Sequence, residues 1–204
     1  MYQFILASES PRRRQLLETS GFVFDVHSVK VSEIPDKNLN IDEQILEIAG
    51  RKAKAAFSEL KTTVHTDFLL LSADTMVVYH NQALGKPRNT DEAYEFLKLL
   101  SGNTHEVKTA LCLVESLGGE RASHIETSRV KFRTLSDDEI WTYIQSGEPM
   151  DKAGAYAIQG LGGQFVEEFT GDYDNVVGLP VKAFEKILAE KKWIVPRAPK
   201  KGPL

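Results

Sequence analysis

Residues 67–79, DFLLLSADTMVVY, decide the fold reading. The run is apolar at consecutive positions, as in a strand buried on both faces at the centre of a helix-covered sheet. Only Ser72, Asp74 and Thr75 interrupt it. Upstream, Tyr2 to Ala7 predicts a short strand that leads directly into a helix, with Ser10 as N-cap, Pro11 in the first turn and Gly21 as the stop. Residues 22–29 alternate as a second strand would, and residues 32–40 read as loop. Asp42 then caps a helix to Leu60, with Ile45, Ile48, Ala49, Ala53, Ala56 and Leu60 along one stripe.

Downstream, His80-Asn81-Gln82 predicts a turn, Asn89 or Thr90 the cap of a helix over 91–100, and Gly102 its end. Residues 105–116 and 120–134 are β-prone and joined at Gly118-Gly119, as in a hairpin. Ser136 with Glu139 forms a capping box for a helix ending at Gly147, and Pro180 opens a last helix to about Lys191. The expected fold class is therefore α/β with a mixed sheet, in a single domain over residues 1–195. A smaller subdomain around residues 80–145 is compatible with the pattern, and residues 196–204 read as a mobile basic tail.

Composition sets the outer bounds. A chain of 204 residues, 42% hydrophobic and 26% charged, is neither disordered nor collagen-like. Apolar runs such as Phe68 to Leu71 are too short for a membrane span, and no membrane partner is expected. Residues 1–8 carry no basic stretch ahead of Phe4-Ile5-Leu6-Ala7 and are not expected to act as a secretory leader. A single cysteine, Cys112, permits no internal disulfide and fits a cytoplasmic setting. Net charge of -4 argues against nucleic acid as a bulk partner.

Asp74 carries the most information. An unpaired carboxylate among apolar neighbours costs several kcal/mol or neutralises itself. It needs a cation, a metal or a cleft at the strand end, or else backbone donors at an ordinary strand terminus; taken alone, the residue fits either reading equally. Ser8, Ser10, Arg12, Arg13 and Arg14 lie between a strand and the first turns of a helix, where amide groups and the helix dipole favour an anion. Arg12 and Arg13 read as phosphate ligands, Arg14 as a solvated side chain. Lys52 falls within the apolar stripe of its helix, and Lys86 sits in the tight Gly85-Lys86-Pro87 segment. With Arg12, Arg13 and Asp74 they compose a cationic site with one carboxylate, suited to a metal-bound polyphosphate. Glu33 lies in a loop, and Asp151, Lys152, Gln159 and Asp172 lie in a glycine-rich region. No dinucleotide fingerprint, P-loop or G-x-S-x-G elbow occurs, and the histidines are not spaced for zinc. Cys112 reads as a core residue rather than a nucleophile.

These segments, in order, carry a resemblance. Phe4-Ile5-Leu6-Ala7-Ser8-Glu9-Ser10-Pro11-Arg12-Arg13, Ser72-Ala73-Asp74-Thr75, Gly85-Lys86-Pro87, Ser101-Gly102-Asn103-Thr104-His105, Asp151-Lys152-Ala153-Gly154-Ala155-Tyr156, Ile158-Gln159-Gly160 and Asn175-Val176-Val177-Gly178-Leu179-Pro180 resemble the Maf family of nucleotide pyrophosphatases over about residues 3–190. The resemblance implies an elongated mixed β-sheet flanked by helices, like the inosine-triphosphate pyrophosphatase fold, in a protein that is commonly a homodimer. It implies hydrolysis of a nucleoside triphosphate between the α and β phosphates, with Mg²⁺ or Mn²⁺. Asp74 would then be the catalytic carboxylate. Ser8, Arg12, Arg13, Lys52, Thr75, Lys86 and Gln159 would bind substrate, and Glu33 with Asp74 would hold the metal. Arg12, Thr75 and Gln159 look like the dTTP/UTP branch, where the 7-methyl-GTP branch has Trp and Glu at the first two positions. The chain departs from the pattern at Ser32, where an acid is frequent, at Ala110 in place of Gly and at Asp172 in place of Ser. The first removes one candidate metal ligand, and the third bears on base or ribose contacts. Two other readings compete: a 7-methyl-GTP or inosine-triphosphate pyrophosphatase on the same scaffold, and a non-catalytic nucleotide- or RNA-binding regulator of cell division.

Overall fold

The computed structural model describes residues 1–199. Its elements are β1 (Gln3–Leu6), α1 (Pro11–Thr19), β2 (Asp25–Val26), α2 (Ile41–Thr63), β3 (Phe68–Tyr79), β4 (Gln82–Leu84) and α3 (Thr90–Leu100). They continue with β5 (Thr104–Glu115), β6 (Arg121–Phe132), α4 (Asp137–Gln145), β7 (Val166–Thr170), α5 (Tyr173–Val177) and α6 (Val181–Lys191). The strands form one seven-stranded mixed sheet in the order β2-β1-β3-β5-β6-β7, with β4 paired to β3 off that path. β1 runs parallel to both β2 and β3, whereas the β3–β4 and β6–β7 pairs are antiparallel. The fold is thus mixed α/β, as the central strand predicts.

The chain divides into two compact units. The first comprises Met1–Asp74, Ala110–Ile125 and the described residues from Gly178 onward; the second comprises Thr75–Thr109 and Glu126–Val177. The second unit is therefore larger than a subdomain over 80–145, and it begins at the residue after Asp74.

In the first unit, α2 presents Ile45, Ile48, Ala49, Ala53, Ala56 and Leu60 as its buried stripe. Ala56 and Leu60 pack with Ile5, Ala7, Phe68 and Leu70 of β1 and β3. Small residues on that stripe let the helix backbone approach the sheet closely. The helix begins at Ile41 with a capping box between Asn40 and Glu43, two residues ahead of the expected Asp42 cap. On α6, Phe184 stacks on Phe4 with ring centroids 5.2 Å apart. The expected strand over 22–29 contracts to Asp25–Val26, with Phe22 instead bridging to Arg197. Of the expected mobile tail, residues 200–204 lie outside the described residues, and Pro196 to Ala198 are docked. Val23 N–H donates to the Pro196 carbonyl at 3.1 Å and Ala198 N–H to that of Gly21 at 2.8 Å. The Arg197 guanidinium lies 3.4 Å from the Phe22 ring centroid and pairs with Glu185 at 2.7 Å.

In the second unit, Val77, Leu84, Leu97, Val130, Phe132 and Phe165 belong to one apolar cluster. His80 and Asn81 both have positive φ, 47° and 61°, so the turn spans these two residues alone and Gln82 starts β4. Gly154, at φ 66°, has no alternative: a Cβ there would lie 2.8 Å from the Val77 side chain. Its N–H donates to the Gly85 carbonyl at 3.0 Å, which anchors the Gly85-Lys86 segment.

His105 is buried in this cluster, with Nε2 2.9 Å from the Tyr156 hydroxyl and Nδ1 unpartnered. Burial pushes its pKa down to about 4. The folded state therefore resists a proton that the unfolded chain takes up near pH 6.5, so stability is intact above that pH and falls as the solution is acidified toward 4. From this residue alone the loss at pH 4 is about 3 kcal/mol at 1.36 kcal/mol per pKa unit. Calorimetric melts between pH 7 and 4 should show the decline, and a His105→Gln variant should show a shallower one.

Candidate functional site

Asp74 lies just past the middle of β3, and its side chain is only 13% exposed. Lys52 from α2, 12% exposed, places Nζ 2.7 Å from Asp74 Oδ1 and 2.6 Å from Glu33 Oε1. One ammonium thus bridges two carboxylates from separate chain segments. Position 52 is four residues after Ile48 and four before Ala56, which puts Lys52 on the margin of the buried stripe. Its stem packs along the helix while its head reaches the strand. Breaking such a shielded pair by removing one partner costs about 3–5 kcal/mol.

The Glu33 loop is held by a residue the motif reading passes over. Arg51 pairs with Glu47 one turn earlier on α2 and donates through Nη1 to the carbonyls of Ser32, at 2.7 Å, and Ile34, at 2.9 Å. Those carbonyls flank Glu33, so Arg51 fixes the backbone on both sides of it. On the other side, Ser72 is fully buried and donates to the Ala49 carbonyl at 2.8 Å, which fixes the spacing of β3 and α2 just before Asp74. In sequence, the available signals were a serine inside an apolar strand and an arginine beside the lysine of the stripe.

The turn from β1 into α1 forms the second part of the same unit. Ser10 caps α1, accepting at 3.5 Å from Arg13 N–H. Ser8 Oγ accepts from the Ser10 N–H and from Arg13 Nη1, both at 3.2 Å. With its lone pairs engaged, its own proton is directed outward as a donor. Arg13 is buried, and its Nε donates to the Gly178 carbonyl at 2.8 Å. Burial pulls the guanidinium pKa below its ordinary value and Arg12 adds repulsion, while Asp74 and Glu33 pull the other way. Arg13 is therefore electrostatically coupled to both carboxylates. Arg12 is half-buried on the same first turn.

The remaining expected residues belong to the second unit. Lys86 is exposed on the segment that Gly154 anchors, and Gln159 is exposed on a turn over 158–159. That turn is set by Glu148, whose carboxylate accepts from Tyr143 Oη at 2.8 Å, Leu161 N–H at 3.0 Å and Gly162 N–H at 3.1 Å. Thr75 has its hydroxyl 2.9 Å from that of Thr109. The structure thus gathers Ser8 with Arg13, and Glu33 with Lys52 and Asp74, within the first unit, and places Thr75, Lys86 and Gln159 in the second.

Among the described residues no group of three or more His, Cys, Asp or Glu side chains could hold a metal ion. Glu33 and Asp74 do converge on one positive centre, the Lys52 ammonium. Paired carboxylates that leave other positions to waters and phosphate oxygens suit Mg²⁺, whereas an all-protein cage would not form here. Cys112 is half-buried, and burial raises its thiol pKa, in keeping with an unreactive residue. Among the described residues no helix is long and apolar enough to cross a membrane.

The chain belongs to the Maf family: the profile of that family, described as "Maf-like protein", matches residues 3–191. A relative from Bdellovibrio bacteriovorus, described as a dTTP/UTP pyrophosphatase, is 59% identical over 186 residues, covering 91% of this chain and 97% of its own. Proteins of the same description from Alkaliphilus oremlandii and Thermococcus onnurineus are each 45% identical, over 181 and 184 residues. These matches cover 89% and 90% of this chain and 92% and 95% of theirs. Among solved structures, a dITP/XTP pyrophosphatase from Mycobacterium abscessus shows a weak likeness, with TM-score 0.40 at 14% identity over 93% of this chain and 96% of that one.

Arg13→Lys keeps the charge, but a point donor cannot span Ser8 Oγ and the Gly178 carbonyl together. Hydrogen bonds to charged groups contribute about 1.5–3 kcal/mol, and urea unfolding should show a loss of that size.

Proposed function

We propose that this protein hydrolyses dTTP and UTP between the α and β phosphates, releasing a nucleoside monophosphate and pyrophosphate. The observation that carries the reading is the Glu33–Lys52–Asp74 cluster, with its Lys52–Asp74 pair shielded, beside the Ser8–Arg13 turn. The description shared by the Maf relatives supports the choice of substrate.

In this reading the phosphates meet the start of α1, where amide groups and the helix dipole favour an anion. Ser8 donates its hydroxyl proton to a phosphate oxygen, while Arg12, Arg13 and Lys86 neutralise charge. Arg13 is already desolvated and fixed at two points, so little reorganisation accompanies binding. Asp74 orients the attacking water and accepts its proton at a carboxylate oxygen. The water oxygen forms a bond to the α phosphorus, the bond from that phosphorus to the bridging oxygen breaks, and pyrophosphate departs with the electron pair. No nucleophilic side chain is needed, because such a displacement depends on positioning and charge stabilisation. Glu33 and Asp74 would hold Mg²⁺ or Mn²⁺, which would supply further charge neutralisation. Lys52 holds the two carboxylates at a common distance. Thr75 and Gln159 read the base, and Arg12 shares in selecting the substrate.

The test is pyrophosphate release by the purified protein with Mg²⁺ or Mn²⁺ over dTTP, UTP, CTP, dGTP, ITP and 7-methyl-GTP. dTTP and UTP should lead, chelation of the metal should suppress turnover, and Asp74→Asn should lower kcat by about 10²-fold or more. Leadership by 7-methyl-GTP or ITP would overturn the substrate assignment, and near wild-type turnover in Asp74→Asn would overturn the role of that carboxylate.

A further inference from the structure

A chain of buried hydrogen bonds behind Thr75 fixes which way its hydroxyl points. Thr109 is fully buried, and its Oγ1 lies 3.0 Å from the main-chain carbonyl of Asn175. A carbonyl oxygen can only accept, so the single proton of Thr109 is committed there. At the 2.9 Å contact between the two threonine hydroxyls, Thr75 must then be the donor. Toward any other group Thr75 therefore presents lone pairs.

The acceptor at the end of this chain is rigidly held. Asn175 is fully buried, and its side-chain Nδ2 donates to the Val107 carbonyl and to Ser128 Oγ, each at 2.9 Å. Ser128 in turn donates to the Asp172 carbonyl at 2.9 Å and accepts from Asp172 N–H at 3.0 Å. Gly171, at φ 113°, closes over Ser128, and a Cβ there would lie 2.7 Å from Ser128 Oγ. The hydroxyl protons of Thr109 and Ser128 each go to a main-chain carbonyl, and the direction is set from Asn175 outward.

We propose that Thr109 is a specificity-positioning residue: by taking the Thr75 proton it makes Thr75 a hydrogen-bond acceptor toward the substrate, which selects the N3–H donor of a uracil or thymine ring over the N3 lone pair of cytosine. The inference rests on the reading of Thr75 as a base contact. A hydroxyl free to rotate would serve a donor or an acceptor equally and would discriminate little. A hydroxyl with its proton committed elsewhere meets the cytosine N3 lone pair with its own. Sites that leave polar groups unpaired in this way are the ones that discriminate strongly.

The experiment compares kcat and KM for UTP and CTP in wild type, Thr109→Ser, Thr109→Val, Thr109→Ala and Thr75→Val, with folding checked by circular dichroism. Thr109→Ser keeps the acceptor and should retain the UTP:CTP preference in kcat/KM within about twofold. Thr109→Val removes the acceptor at nearly constant volume and should lower that preference about tenfold or more, through KM rather than kcat. Thr109→Ala should do the same, so the result does not depend on one variant folding. Thr75→Val should lose as much, and the double variant Thr75→Val/Thr109→Val should lose no more than Thr75→Val alone. An unchanged preference in folded Thr109→Val or Thr109→Ala overturns the inference while leaving the pyrophosphatase reading intact. Absence of any pyrophosphate release by wild type overturns both.

Discussion

The first unit depends on one electrostatic constraint, a carboxylate carried on a strand whose neighbours are buried. Asp74 follows Ala73, which has no exposed surface, and precedes Met76, which has little. Left alone, the ionised group would lose its hydration and gain nothing in return. Lys52 offsets that loss because α2 lies close enough for a four-carbon stem to reach the strand, and α2 lies close because its inward face includes Ala49, Ala53 and Ala56. Glu33 then gives the ammonium a second partner. The sequence of dependence runs from alanines on a helix stripe, through helix–strand approach, to a charge cluster held at 2.6 and 2.7 Å.

Supporting residues do as much as the charged groups themselves. Arg51 works through main-chain carbonyls on both sides of Glu33 and leaves the Glu33 carboxylate to Lys52. Ser72 likewise sets the spacing of strand and helix without touching the cluster. In the second unit, Glu148 plays the corresponding part for the turn that carries Gln159. Burial raises its carboxyl pKa, but donors from Gly162, Leu161 and Tyr143 outweigh that effect and hold it below the ordinary range. Each supporting group satisfies main-chain atoms of a loop that would otherwise have many conformations, so conformational entropy is lost during folding rather than at binding.

The parts legible in the sequence were those governed by local rules. The apolar run of β3, the Ser10 cap with Pro11, and the Ser136–Glu139 capping box all fall where pattern and propensity place them. Asp74 stood out because it violated its surroundings. Short elements defined by partners escaped: β4 has three residues, β7 has five with two adjacent glutamates that break any alternation, and α5 has five residues. The α2 cap fell on Asn40 because Asn and Asp cap equally well and only Asn40 has a Glu three residues on for a reciprocal bond. Pro196 to Ala198 read as free because a cation stacked on Phe22, more than 170 residues earlier, leaves no local trace. Thr109 escaped for a different reason: threonine is an ordinary strand former, and its hydroxyl acquires meaning only from what lies opposite.

That last case bears on how a small protein discriminates among similar rings. Uracil and cytosine differ little in size and shape, so pocket volume alone separates them weakly. The difference lies in the direction of hydrogen bonds, and a site reads direction only if its own hydroxyls cannot turn. A threonine at the surface of a site is ambiguous by itself, as its proton can follow whatever ligand arrives. Coupling it to a second threonine moves the ambiguity one residue back. Only a terminus with no proton to give removes it, and the Asn175 carbonyl is such a terminus, fixed in turn by an amide and a serine whose donors are also committed. The buried polar groups of the second unit therefore have a stake beyond stability. Their net contribution to folding is about 1 kcal/mol per bond, comparable to any other hydrogen bond. Their particular effect is to turn a rotatable hydroxyl into a group of defined polarity.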